Sequence, residues 1–483
     1  MSLNLALSSA LSGLTAASRN ASVVSENIAN ALTPGYARRT LELTSQGDVV
    51  PGVLIAGIQR HVDPAITANR READAQLSNA QLISDFRSRL ADAIGSPDDP
   101  VSLTSRLAAF SESLISAASR PESAERLDTA VLRAGDLTNY LNDASKDVQN
   151  MRSEADRKIG IQVDRLNTLL KQVEDLNVRV VSSDKNGGET ASLLDQRQRA
   201  IDELNEIVPV NIVNREFGRV ALYTDGGTIL VDSSAIQLNF TPSNTVTAVM
   251  SLTGGSLSGL DTGTYALRTD SSNSDIPGGS LAALFAIRDE YGVAAQADLD
   301  SVARDLIERF EDPALDATRA PGAPGLFTDN GAALDPLLEV GLAGRLSVNA
   351  NVDPLQGGTT WRLRDGLGAV VPGPPGDARL LQALQGALDV GRSLSSGSFG
   401  TGLQSASDVT AALESRFAQT ANVANQRLTF AAASQQEMSR IELTQGVDSD
   451  AELSRLILVE QAYAANARMF EVVDDLMETL LRI

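Results

Sequence analysis

The sequence predicts a mainly α protein with β insertions, and three observations carry that expectation. Apolar residues recur at helical spacing at both ends of the chain. Residues 122–182 are almost free of Gly and Pro over a long helical pattern. Two interior stretches change to a β-branched, Gly-rich and Pro-rich texture before helical patterns return. A chain that leaves a helical body and comes back to it builds nested domains, with both termini at one end.

Each end reads as a helix that needs a partner. Leu3, Leu7, Ala10, Leu14, Ala17, Ala21, Val24 and Ile28 alternate at spacings of four and three. Leu456, Val459, Tyr463, Asn466, Phe470, Val473, Met477 and Leu480 do the same at the far end. That spacing is the seam of helices that wrap around each other. Leu3, Leu7, Leu14, Val24 and Ile28 would gain on the order of 8–15 kcal/mol if fully covered. An isolated helix is marginal in water, so both termini are expected to fold only when covered. The nearest cover is the other end of the chain; the next is a second copy. Asn466 on the apolar seam is expected to fix register, or else to contact backbone at a helix crossing.

Between the ends, Thr33-Pro34-Gly35-Tyr36 stops the first helix, with Pro-Gly suited to the centre of a type II turn. Residues 40–62 read as short strands, and 65–94, 101–118 and 122–182 as helices. Residues 191–206 form another amphipathic helix. Val210, Ile212, Val220, Leu222, Ile229 and Val231 among Gly and Asp turns read as β-hairpins, with strand-like composition to about Leu267. Residues 279–311, 377–392, 405–443 and 449–482 read as helices, and 313–376, which hold the sole tryptophan Trp361, as a small β and loop region. The expected domains are therefore 1–35 plus 446–483 (terminal coiled coil), 36–208 plus 279–312 plus 377–445 (helical middle), 209–278 (β-hairpin insertion) and 313–376 (small outer domain).

Composition excludes several functions. With 483 residues, 40 Lys plus Arg against 62 Asp plus Glu, the net charge is −22. That disfavours nucleic acid and anionic membrane surfaces. There is no cysteine, hence neither disulfide nor thiolate chemistry. This suits the cytosol, and equally a protein exported unfolded. Polar residues interrupt every apolar stretch near the N-terminus, and the first basic residue is Arg19, so a cleavable signal peptide is not expected. His61 is the sole histidine and reads as a surface residue. No phosphate-binding glycine motif occurs. The acids at Asp98-Asp99 and Asp448–Asp450 lack calcium-loop spacing. No enzyme constellation, cofactor site or metal site is expected.

The stretch Ser25-Glu26-Asn27-Ile28-Ala29-Asn30-Ala31-Leu32-Thr33-Pro34-Gly35-Tyr36 resembles the N-terminal signature of bacterial flagellar rod, hook and hook-associated proteins. Glu460-Gln461-Ala462-Tyr463-Ala464-Ala465-Asn466-Ala467-Arg468 resembles their C-terminal ending. Leu193-Leu194-Asp195-Gln196-Arg197, with Asp175-Leu176-Asn177 upstream, looks like the interior of the hook-associated protein 1 family. Gly279-Ser280-Leu281-Ala282-Ala283-Leu284 followed by Arg288-Asp289 resembles another of its helices. The Pro-rich run between Glu308 and Phe327 departs from the family's pattern.

What the resemblance implies is a structural subunit of the flagellum at the junction between hook and filament, with no enzymatic activity. It implies self-assembly in a ring or tube, contact with the hook subunit and the second junction protein, and an export chaperone on the C-terminal helix. It also implies an extracellular location reached by type III export. Another axial component, or a secreted coiled-coil effector or adhesin, are the alternatives.

Overall fold

In a computed structural model of the chain, residues 3–33, 35–45, 52–96, 99–185, 189–400 and 402–481 are described. Pro34, Pro97 and Asp98, and the side chains of Leu3 and Leu480, lie outside the described residues. Helix α1 (Leu3–Ala29) opens the chain, and a hairpin of β1 (Arg39–Ser45) and β2 (Val53–Arg60) follows. Asp63 caps helix α2 (Pro64–Ile94), its carboxylate accepting from the amides of Ala65 and Ile66, while Pro64 fills the first turn, where no donor is needed. Helix α3 (Leu103–Ser119) leads into α4 (Ala124–Lys185), a spine of 62 residues and roughly 90 Å. Helix α5 (Ala191–Ile207) returns along α4.

The first β insertion is a three-stranded sheet in the order β3 (Val210–Asn214), β4 (Val220–Thr224), β5 (Ile229–Val231). Beyond it the expected strands are mostly absent. In that stretch β6 (Leu260–Asp261) pairs with β7 (Ala266–Leu267), and single bridges join Val231 to Ala235 and Asn239 to Asp261. Elsewhere the backbone there bonds to side chains of α4. The Asp156 carboxylate accepts from the Ser243 amide at 2.6 Å, and Ser153 Oγ accepts from Val246 at 2.8 Å. Those bonds satisfy the strap without a strand partner.

Helices α6 (Gly279–Ala286) and α7 (Gly292–Phe310) are joined by a π-helical turn at Ile287–Tyr291. Strands β8 (Phe327–Asp329) and β9 (Leu346–Val348) form the second insertion with several short turns and the one-turn helix α8 (Arg362–Asp365). Helix α9 (Arg379–Asp389) follows. A capping box of Ser405 and Asp408 starts α10 (Ala406–Thr444), which runs beside α2. The terminal helix α11 (Ser449–Leu481) packs against α1. This is the mainly α fold with β insertions that the periodicities imply.

One apolar core runs from α2, α3 and α4 through both insertions. Leu230, Leu260, Phe327, Leu346 and Val352 belong to the same buried cluster as Leu137, Leu166 and Phe310. Phe327 packs edge to face on Phe110 and Phe310, which are tilted against each other, with ring centroids 5.1–6.1 Å apart. Within this core sits a charged layer. Arg152, Asp156 and Arg288 are fully buried. Arg288 Nη1 donates to Asp156 Oδ1 at 2.8 Å, and its Nη2 donates to Asp289 Oδ2 at 2.8 Å and the Ser258 carbonyl at 3.0 Å. Arg152 donates to the carbonyls of Arg288, Thr247 and Met250. The π turn places the Arg288 carbonyl within Arg152's reach. The Arg288-Asp289 pair of the sequence motif thus pins the irregular strap onto α4.

Two stability predictions follow from these contacts. Asp156→Asn removes the fully buried one of the two carboxylates that Arg288 pairs with, so chemical denaturation should show a loss of about 3–5 kcal/mol; a loss under 1 kcal/mol would contradict it. The second concerns pH. Asp300 accepts the amides of Gly341 at 2.7 Å and Ala343 at 2.8 Å, and burial pushes its carboxyl up to about 6. The folded state therefore holds a proton that the unfolded chain releases near pH 4. Stability from this group is full below that point and falls as pH rises to about 6, by roughly 2–3 kcal/mol. Asp300→Asn should remove this slope, so the wild-type and variant stabilities should diverge across pH 4–6. Parallel profiles would contradict the assignment.

Candidate functional site

The two terminal helices pair within the chain, antiparallel, so each end is covered by the other. On α1 the buried residues are Ala10, Ala16, Ala17, Val23, Val24 and Asn27. Leu7, Leu14 and Ile28 of the expected seam are half-buried. On α11, Val459 and Val473 are buried, Leu456, Asn466 and Met477 half-buried, and Tyr463 and Phe470 exposed. Asn466 Nδ2 donates to the Ala462 carbonyl of its own helix at 2.9 Å. Gln461 and Ala462 are exposed.

A second apolar face of α11 stays open. Leu453, Ile457, Leu458, Met469, Val472 and Leu476 are each about half exposed. Such a run on one helix is larger than the scattered apolar exposure normal to a surface.

At the base of the pair lies a polar joint centred on Asn27, which is wholly buried. Its Nδ2 donates to the Arg39 carbonyl at 2.8 Å and to Glu452 Oε2 at 3.0 Å. Its Oδ1 accepts from the Arg39 amide at 3.0 Å and from the Tyr36 hydroxyl at 2.9 Å. The Arg39 backbone can donate only through N–H and accept only through C=O, so the orientation of the carboxamide is fixed. Burial pushes the Tyr36 hydroxyl up to about 12, which keeps it a donor. Glu452, also wholly buried, accepts from Arg38 Nε at 2.8 Å. The Tyr36 amide bonds the Thr33 carbonyl at 3.1 Å, and Gly35 has φ of 73°. That closes the turn the sequence implies at Thr33–Tyr36, at a position where a left-handed residue is required. Asn30 bonds the Glu26 carbonyl and accepts from Thr33.

A second layer ties the joint to the helical body. Asp195 on α5 is buried between both hairpin arms: Arg39 Nη2 reaches Oδ2 at 2.5 Å and Arg60 Nε reaches Oδ1 at 2.7 Å. Two residues on, Arg197 points the other way. It donates to Asn177 Oδ1 at 2.9 Å and the Gly218 carbonyl at 2.7 Å, and burial lowers it to about 10. Asn177 in turn clasps Val220 through both its amide and carbonyl. Leu194 is half-buried, and Gln196 bonds Ser192 on its own helix. A further node, Arg70, bonds Asp74 at 2.6 Å, Asp202 at 2.8 Å and Glu442 at 2.8 Å, linking α2, α5 and α10.

The structure thus brings together Asn27 and Tyr36 of one motif with Asp195 of another. It leaves Gln196, Gln461 and Ala462 outside the joint. Sequence reasoning missed Glu452, Arg38, Arg39 and Arg60. The available signal was three arginines flanking the first strands of an acidic chain. Among the described residues no group of His, Cys, Asp and Glu could hold a metal ion, and no helix is long and apolar enough to cross a membrane. His61 is exposed at the end of β2, against Thr40.

Three family models match the chain. Residues 88–326 match the flagellar hook-associated protein FlgK helical domain, residues 7–36 the flagella basal body rod protein, and residues 444–483 the C-terminal part of the flagellar basal body rod FlgEFG protein. Flagellar hook-associated protein 1 of Salmonella typhimurium is 29% identical over 245 residues, 49% of this chain and 44% of that protein. The match therefore spans less than half the length of that relative. The protein of the same name in Bacillus subtilis is 24% identical over 520 residues, 99% of this chain and 97% of that protein. A solved flagellar hook junction protein FlgK from Burkholderia pseudomallei is 21% identical, with TM-score 0.45, over 55% of this chain and 47% of that one. Matched at both ends and through the long helices, the chain belongs to the flagellar hook-associated protein 1 family.

Proposed function

We propose that this chain is a structural subunit of the bacterial flagellum that forms the junction zone between hook and filament. The observation that carries the reading is the terminal pair. It is covered on one side by its own partner helix and left apolar on the other. It is also held rigidly to a long helical body by buried polar ties. A part that must join a tube needs such a face, because burying it against neighbours supplies the main favourable term in association. The interface residues are Leu3, Leu7, Leu14, Val24 and Ile28 on α1 and the Leu456–Leu480 seam on α11. Tyr463 and Phe470, which the chain itself leaves exposed, are assigned to contacts between copies.

In this reading residues 1–35 and 446–483 form the inner domain and 36–208, 279–312 and 377–445 the helical middle. Residues 209–278 and 313–376 are outward insertions. The partners are further copies of the chain, the hook subunit and the second junction protein. The open face of α11 is covered by an export chaperone before type III export delivers the chain outside the cell. The work is mechanical, not catalytic.

Deleting the gene should leave hooks without filaments and flagellin shed into the medium. The wild-type gene should restore swimming, while a Val472→Asp, Leu476→Asp variant should be exported and folded yet fail to restore filaments. Unchanged swimming on deletion would overturn the reading. A separate expectation concerns the joint. Asp195→Asn removes the buried carboxylate that Arg39 and Arg60 share, leaving Arg39 only the part-exposed Glu26 and Arg60 only neutral acceptors, at a cost of roughly 3–5 kcal/mol for breaking a buried pair. Limited proteolysis should then cut the hairpin and terminal helices faster than in the wild type, with the helical body unchanged. Equal cleavage rates would contradict the coupling.

A further inference from the structure

Polar layers join the two ends of the chain at a regular interval. Asn27 of α1 bonds Glu452 of α11. Two heptads further along both helices, Asn466 lies flat on Gly13. A methyl group at Gly13 would come within 2.7 Å of Asn466 Oδ1 and 2.8 Å of its Cγ. The residue numbers of the two facing pairs have the same sum, as constant antiparallel register requires. By that sum Val459 faces Asn20 and Val473 faces Ala6. Val459 and Val473 are the two large apolar side chains of α11 that are buried among the described residues. One line of α11 therefore carries the seam at a strict seven-residue interval: Glu452, Val459, Asn466, Val473.

We propose that Asn27–Glu452 and Gly13–Asn466 form a two-point register lock, which holds the terminal helices of one chain in a single antiparallel alignment. A slip of one heptad moves α11 by about 10 Å. It sets Asn466 against Asn20 or Ala6, where a side chain occupies the space that Gly13 leaves open. It sets Val459 or Val473 against Gly13, where nothing fills the gap. It also removes Asn27 from the buried Glu452 carboxylate. An unpaired buried donor or acceptor costs about 1–3 kcal/mol, so a slipped pair is populated ~10-fold less for each bond lost. Apolar seams alone do not discriminate this way, because every heptad offers a similar face. The lock fixes the height at which the open face of α11 is presented. It concerns the single chain, and stands whether or not the chain sits at a hook–filament junction.

The absence of cysteine makes the test direct. Ala17 lies between the Asn20 and Gly13 layers, and the constant register sum sets Tyr463 level with the Ala16–Ala17 step, beside Leu14 and Ser18. Full-length chains carrying Ala17→Cys with Tyr463→Cys, with Leu456→Cys or with Phe470→Cys are oxidised at low concentration. The intramolecular crosslink is read by its faster migration under denaturing conditions. The Tyr463 pair should form ~10-fold or more over the two heptad-shifted pairs. In chains that also carry Asn27→Ala, Gly13→Ala and Asn466→Leu, which remove both points, that preference should collapse to within about twofold. Where this triple change loosens the helices altogether, Asn466→Ala alone should still lower the yield of the Tyr463 pair relative to the heptad-shifted pairs. Equal yields from all three pairs in the otherwise native chain would overturn the proposal. So would a covalent dimer as the main product, or a preference that survives both lock variants.

Discussion

The carboxamide of Asn27 is the interaction on which the rest of this architecture depends. It is wholly buried and uses both of its protons and two acceptor positions, so nothing about its placement is slack. Each of its partners belongs to a different piece of chain: the turn at Tyr36, the first strand at Arg39 and the last helix at Glu452. A buried amide pays for desolvation only when every bond is made, and a half-made network is worse than none. Asn27 therefore ties the end of one terminal helix, the start of the other and the hairpin in all-or-none fashion. Asp195 repeats the device one layer out, between the hairpin and the helical body.

These ties explain a division of labour between apolar and polar contacts. The helical body is held by a continuous apolar core, which is strong and non-directional. The terminal pair buries mostly Ala and Val on the α1 side, a thin seam that close approach makes possible and that leaves Leu7 and Leu14 half open. A thin seam can be separated and reformed at little cost. Direction and angle then come from hydrogen bonds, which specify geometry at little net gain in stability.

Much of the fold was legible because helices announce themselves by period. The spacing of Ile159, Val163, Leu166, Leu170 and Val173 marks one face of α4, and those residues are buried there. The stretch after Val231 was misread as strand because Thr, Val and Leu carry β preference. Its backbone is satisfied instead by Ser153, Asp156 and Arg152. No local rule shows that, since the partners lie on α4, far away in sequence. The joint was half legible for the same reason. Asn27 and Tyr36 share a short motif, but Glu452 and Asp195 reach them only after the chain has turned back on itself.

The α1 seam shows how a period can be right while burial along it is uneven. Ala10, Ala17 and Val24 of the expected seam are buried, Leu7, Leu14 and Ile28 are only half-buried, and Ala16, Val23 and Asn27 outside it are buried too. Two constraints turn the helix. Asn27 must face Arg39 and Glu452, and Gly13 must face Asn466, because a larger residue would collide there. Both constraints are polar or steric and come from residues that a hydrophobic pattern treats as gaps. Satisfying them rotates the leucines toward the rim, where they remain available to a neighbour. The apparent misfit of the seam and the open face of the terminal helices are therefore two consequences of the same placement.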